Sequence, residues 1–126
     1  MLEDKAVAAT LAVSDLRRAR QFYEQTLGLQ PVQEDEGAVV YRAGPSFVVV
    51  YPSEYAGTNQ ATAATWALGD DFDAVVEDLR GKGVNFEQYD LPDTTREGDI
   101  TVAGDLRAAW FKDPDGNILS LANQGM

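Results

Sequence analysis

Residues 6–15 read AVAATLAVSD, and a related pattern returns 55 positions later, where residues 61–70 read ATAATWALGD. In each copy a short apolar run with strand character ends at an aspartate, a residue type that favours the N-cap of a helix. The same offset also aligns Gly28 with Gly83. An internal repeat of this kind indicates two copies of one structural unit, each starting with a strand that leads into a helix.

Helical periodicity follows both strands. Apolar residues recur at three- and four-residue steps from Leu16 to Leu27 and again from Phe72 to Leu79. Gly28 and Gly83 should end these helices, because glycine adopts the left-handed conformation at the position after a helix. Segments rich in β-forming residues come next, at 38–41, 47–51, 106–111 and 118–122. Each copy therefore predicts a strand, a helix and then two or three strands.

The connecting segments have different characters. Residues 113–117, DPDGN, form a tight-turn sequence that should join the last two strands. Residues 52–60 are expected to link the two copies. The stretch 89–105 carries five acidic residues and is too polar for a core, so it is expected to be a long, mobile flap.

Composition and charge exclude several classes of protein. The 126 residues, 44% of them hydrophobic, suit one domain. Twenty-one acidic against ten basic residues give a net charge of −11, which argues against binding to nucleic acid or to an anionic membrane. The sequence has no cysteine and no histidine. Disulfides, thiolate or imidazole metal sites and histidine-based catalysis are therefore ruled out.

Two motifs carry a family resemblance. The run VSDL at 13–16 with ARQFYEQTLGL at 19–29, and the run FKDPDGNIL at 111–119, resemble the vicinal oxygen chelate superfamily of glyoxalase I, bleomycin-resistance and fosfomycin-resistance proteins and extradiol dioxygenases. The resemblance implies an α+β fold in a single domain, residues 1–126. Two βαβββ modules, at 5–52 and 61–124, would form a curved mixed sheet around a cavity, commonly completed in a homodimer.

At the positions that hold metal ligands in that superfamily, this sequence has residues that cannot bind a metal. The resemblance places a histidine at Ala8, its counterpart at Ala63, a glutamate at Ser120, and a further ligand in the strand around Val48. Divalent metals need carboxylate, imidazole or thiolate donors, which these four residues cannot supply. We therefore expect no metal, no other cofactor and no catalytic residue at these positions, which would instead line a ligand cavity.

Three further residues are expected to face a ligand. The resemblance to fosfomycin-resistance proteins points to Thr10, its repeat partner Thr65, and the aromatic Trp110. Strand alternation puts both threonines in rows of small residues, the side of each strand that faces away from its helix. Trp66 falls on the helix side. An indole suits a flat ligand, although Trp110 could equally fill a core, and the threonines could simply bond to neighbouring strands.

The favoured function is binding of a planar small molecule without a metal, by which the protein would sequester the compound as bleomycin-resistance proteins do. The negative charge of the chain would attract a cationic compound. One alternative is a glyoxalase- or dioxygenase-like lyase or isomerase that uses carboxylates such as Glu54 or Asp90, or an unusual metal site. A structural or regulatory dimer is another. The partners expected are a small-molecule ligand and a second copy of the chain. Because no signal sequence or membrane span is recognisable, a cytoplasmic location is expected.

Overall fold

The computed structural model describes residues 1–35 and 37–124, which form two compact units. The first unit holds residues 1–60 together with the turn Pro114–Asn117, and the second holds residues 61–113 and the C-terminal segment from Ile118. The fold class is α+β, as predicted, and the backbone pairs its strands into two mixed sheets, one in each unit. None of the helices in the described ranges is long and apolar enough to cross a membrane.

The first unit contains a four-stranded sheet and one helical segment. Its strands are β1 (Ala9–Val13), β2 (Gln30–Glu34), β3 (Val39–Ala43) and β4 (Ser46–Pro52). They lie in the order β1-β4-β3-β2, with β1 and β4 parallel and the other pairs antiparallel. The edge strand β2 was not predicted, because its exposed, mostly polar residues give no apolar alternation.

The second unit repeats this plan with two extra short strands. Its strands are β5 (Thr62–Ala67), β6 (Phe86–Glu87), β7 (Thr95–Glu97), β8 (Ile100–Ala103), β9 (Leu106–Lys112) and β10 (Ile118–Ala122). Five strands lie in the order β5-β10-β9-β8-β7, and β6 also pairs with β9. Within the stretch 89–105, which was expected to be a mobile flap, residues 95–97 and 100–103 form the β7–β8 hairpin, which extends the sheet at its edge.

The two helices begin differently, although the repeat aligns them. Helix α1 (Leu16–Arg20) is capped by Asp15, whose side chain accepts a hydrogen bond from the backbone of Arg18 at 3.2 Å, and it continues as a π-helix over Gln21–Thr26. Helix α2 (Phe72–Gly81) follows a 3-10 turn, Gly69–Asp71, and has no side-chain cap. The expectation that Asp70 caps α2 is therefore wrong.

Each helix covers one side of its own sheet. In the first unit this side carries the buried residues Leu11, Val13, Val39, Tyr41, Val48 and Val50. In the second unit, Phe111 and Leu119 are fully buried on the side that receives Phe72, Val76 and Leu79 of α2. Val7 lies two residues before the start of β1 and is 86% exposed.

Candidate functional site

A row of four side chains crosses one face of the second sheet. Backbone register pairs Thr65 of β5 with Ser120 of β10, Ser120 with Trp110 of β9, and Trp110 with Glu87 of β6. Residues paired across neighbouring strands share a face, so these four lie side by side over four strands. We call this side of the sheet the Trp110 face. It is the side opposite α2, since Phe111 and Leu119 alternate with Trp110 and Ser120.

Hydroxyl groups and the indole are hydrogen-bonded along this row. The hydroxyl oxygens of Thr65 and Ser120 are 2.6 Å apart, and Trp110 Nε1 donates to Thr62 Oγ1 at 3.2 Å. Thr62 reaches the same face as Thr65 because the register of β5 shifts between Thr62 and Ala64, which breaks the simple alternation. With its N–H already donated, Trp110 offers a ligand mainly its ring surface.

Glu87 and Tyr89 flank Trp110 on the side of β6. The Tyr89 ring meets the Trp110 ring edge to face, with centroids 5.7 Å apart. The Glu87 carboxylate lies 3.3 Å from Nζ of Lys112, which is on the same face two residues after Trp110. The side chains of Glu87 and Lys112 are 34% and 47% exposed. The indole is therefore bordered by an aromatic edge and by an ion pair that solvent can reach.

The next row along the Trp110 face is made of small residues and ends in an arginine. Register places Ala67, Ala122, Ala108, Thr101 and Arg96 in line across β5, β10, β9, β8 and β7. Arg96 donates to the Gln88 side chain at 3.0 Å and lies 3.6 Å from the carboxylate of Asp90. Ala108 and Thr101, in the middle of the row, are nearly buried, at 8% and 5% exposure, whereas Ala67 and Arg96 at its two ends are exposed.

The expected first-unit residues are less organised. Thr10 is exposed and lies beside Val49 of β4, on the side away from α1, and its hydroxyl donates to the carbonyl of Ala8 at 3.4 Å. Ala8 is half-buried and precedes β1. Val48, which the resemblance placed at the ligand cavity, is only 4% exposed and pairs with Ala9 and with the buried Tyr41 on the helix side of the sheet. We therefore correct its assignment from ligand contact to core.

The residues present do not fit a divalent metal. Ala63 offers no donor atom, and the Ser120 hydroxyl is already bonded to Thr65. Within residues 1–35 and 37–124, no three histidine, cysteine or acidic side chains are grouped so that they could hold an ion. Glu87 is the carboxylate in the row that contains Ser120, and its nearest charged partner is Lys112. A neutral hydroxyl pair and one ion-paired carboxylate are a poor donor set for a metal.

The most perturbed titratable groups lie elsewhere, on the helix side of the first unit. Arg20 Nε donates to Glu24 at 2.7 Å, and the Tyr41 hydroxyl donates to the same carboxylate at 2.8 Å. The bond from Arg20 holds the pKa of Glu24 below its usual 4.5, and burial raises the pKa of Tyr41. This cluster joins the helical segment to β3.

Sequence reasoning missed Thr62, Glu87 and Arg96 on the Trp110 face. Glu87 and Arg96 belong to short polar strands with no apolar pattern, and Thr62 depends on an irregular register that alternation does not reveal. Trp66, by contrast, pairs with the buried Leu121 on the helix side, as expected.

Comparisons with known proteins show the family from the sequence and the fold from solved structures. The sequence model of the Glyoxalase/Bleomycin resistance protein/Dioxygenase superfamily matches residues 5–121, whereas no curated protein matches the sequence. The fold is similar to fosfomycin resistance protein FosX from Mesorhizobium loti (19% identity, 100% of this chain and 95% of that one, TM-score 0.69). It is also similar to lactoylglutathione lyase from Agrobacterium tumefaciens (15% identity, 95% of this chain and 94% of that one, TM-score 0.68). A third similar structure is a glyoxalase/bleomycin resistance protein/dioxygenase from Alicyclobacillus acidocaldarius. It is 17% identical in sequence, the match covers 94% of this chain and 90% of that one, and the TM-score is 0.70.

Proposed function

The chain belongs to the glyoxalase/bleomycin resistance protein/dioxygenase superfamily, and we propose that within it the protein is a metal-free small-molecule binding protein that holds a planar compound against Trp110. The observation that carries the proposal is the row of Thr65, Ser120, Trp110 and Glu87 across four strands. Binding would bury the ring of the ligand and would break no bond.

The chemistry of this row suits a flat ligand with polar edges. Trp110 supplies a large ring surface, and aromatic pairs gain about 0.5–1.5 kcal/mol beyond the area that they bury. The Thr65–Ser120 pair uses one of its two hydroxyl hydrogens internally, so the other can be donated to a ligand oxygen. The net charge of −11 would favour a cationic compound.

The enzymatic alternative has less support from the described residues. The Asp90 side chain is 96% exposed and lies in an ion pair with Arg96, and Glu54 is exposed in the turn that follows β4. A general base works best when it is positioned beside the reacting group and shielded from water, and neither carboxylate is. Neither carboxylate is therefore placed to act as a general base. A homodimer remains part of the proposal, and sedimentation of the purified protein tests it.

Tryptophan fluorescence tests the proposal when Trp66 is replaced by phenylalanine, which leaves Trp110 as the fluorophore. Three acridines of similar shape serve as probes: cationic proflavine, neutral acridone and anionic acridine-9-carboxylate. We expect at least one of them to quench Trp110 and to raise the melting temperature. Trp110→Ala should weaken that binding by about 1–3 kcal/mol, or roughly 5- to 150-fold in Kd, as followed by calorimetry.

Metal analysis provides the control. We expect less than one equivalent of zinc, nickel, manganese or iron per chain and the same Kd in the presence of EDTA. The proposal fails if none of the three acridines binds, if Trp110→Ala leaves the Kd unchanged, or if a stoichiometric metal is needed for binding.

A further inference from the structure

We propose that Glu87 is the residue by which the Trp110 face selects a cationic group, and that Lys112 occupies the Glu87 carboxylate until the ligand's cation replaces it. This inference rests on the proposed binding of a planar compound at Trp110. It goes further by naming the charge of the ligand, the atom that recognises it and the side chain that competes for the same place.

The geometry puts the carboxylate beside the indole. Glu87 and Trp110 are directly paired across β6 and β9, so their Cβ atoms are expected to be about 4.5–5.5 Å apart. A ring stacked on Trp110 would carry an edge substituent within reach of Glu87. A cation at that position would also lie near the indole ring, whose negative face attracts positive charge. Glu87 and Trp110 therefore both favour a cation at this end of the ligand.

Lys112 holds this place only weakly. Its Nζ is 3.3 Å from Glu87 Oε1, and both side chains are partly exposed, at 47% and 34%. Exposed pairs of this kind gain little, because water and salt screen them and because a long side chain must be ordered. A ligand cation that is already positioned by stacking pays less of that ordering cost, so it can displace the lysine into solvent.

The other charges on this face do not reverse the preference. Arg96, in the neighbouring row, donates to Gln88 and lies 3.6 Å from Asp90. Each of the two basic side chains on the face thus has an acidic neighbour, and the chain as a whole carries −11. The field that a ligand meets as it approaches is negative, which raises the local concentration of cations.

Two substitutions with opposite expected effects test the inference. For proflavine, Glu87→Gln should raise the Kd at least about fivefold, and Lys112→Gln should lower it about two- to fivefold, because the competitor is gone. For acridone, both variants should stay within about twofold of the parent protein. Glu87→Asp keeps the charge and should retain part of the preference for proflavine. Melting temperatures of the free variants confirm that each is folded.

The outcomes separate this inference from the proposed function. If acridone binds and depends on Trp110 but Glu87→Gln changes proflavine and acridone equally, only the inference fails. It also fails if Lys112→Gln weakens proflavine binding, or if acridine-9-carboxylate binds more tightly than proflavine and loses affinity in Arg96→Gln. If none of the three probes binds, both proposals fall together.

Discussion

The turn at 113–117 should contribute to stability chiefly through one carboxylate, that of Asp115. Asp115 Oδ1 accepts hydrogen bonds from the backbone N of Ser14 at 3.0 Å, from Ser14 Oγ at 2.5 Å and from Arg18 Nη2 at 3.2 Å. Its side chain is 5% exposed, whereas that of Arg18 is 50% exposed. This carboxylate therefore ties the turn to the end of β1 and the start of α1, and Asp115→Ala would remove all three bonds.

The expected loss follows from the burial of each partner. A hydrogen bond to a charged group contributes about 1.5–3 kcal/mol, but two bonds from one residue are not additive. The half-exposed Arg18 can be rehydrated, so its share is about 0.2–1 kcal/mol. Asp115→Ala should thus lower the free energy of unfolding by about 2–4 kcal/mol. Asp115→Asn keeps one acceptor oxygen for Ser14 and should lose only about 1–1.5 kcal/mol.

Urea unfolding followed by circular dichroism measures both losses. The midpoint should fall in the order parent, Asp115→Asn, Asp115→Ala, with an unchanged slope if the native and unfolded states keep their compactness. Ser14→Ala removes one of the three donors and serves as the intermediate control. A loss below about 1 kcal/mol for Asp115→Ala would refute the argument that this carboxylate is an important buried acceptor.

Three other changes have expected outcomes. Gly57→Ala should destabilise the protein by about 2–4 kcal/mol, because φ is +78° and the new Cβ would lie 2.5 Å from the carbonyl oxygen of Asp115. Gly44→Ala is the control: its φ is +57° but the space around it is open, so the loss should be about 1 kcal/mol. Thermal unfolding of the two variants measures the difference. Glu24→Gln should reduce the fall in the free energy of unfolding as the pH drops below 4.5. In the parent protein the pKa of Glu24 is lower in the folded state than in the unfolded chain, so acid favours unfolding, and the variant lacks this carboxylate. An acid unfolding curve identical to that of the parent would contradict this. Val48→Ala should destabilise by about 1–3 kcal/mol yet leave the acridine Kd unchanged, and a weakened Kd would return Val48 to the ligand site.

The strands with strong apolar character could be predicted from the sequence, but the polar ones could not. The segments expected at 38–41, 47–51, 106–111 and 118–122 correspond to β3, β4, β9 and β10. Strands β2 and β7 are sheet edges whose side chains are mainly exposed, so burial imposes no pattern on them. The two-residue β6 is too short for periodicity to detect. Their pairing depends on neighbouring strands that are distant in sequence.

Assigning the faces of strands was harder than finding the strands. In β4 five successive residues, 47–51, are apolar or aromatic, so alternation alone gives no phase, and Val48 was chosen from the resemblance without one. In β5 the register shift beside Ala63 brings Thr62 to the face that carries Thr65. Both cases turn on a one-residue change in phase, which moves a side chain to the other face of the sheet. Only the cross-strand partners determine that phase.

The Trp110 face combines small and hydroxyl-bearing side chains with one large ring. If this surface served only as packing, large apolar residues could replace absent metal ligands at little cost, because tight packing favours filled space. Instead the row beside Trp110 holds Ala67, Ala122, Ala108 and Thr101, and Ser120 forms a hydrogen bond with Thr65. Hydroxyls that satisfy one another carry little penalty for burial, and they stay able to exchange partners with a ligand. The hydroxyl pair beside the indole is therefore the feature of this face that supports the proposed binding of a flat molecule.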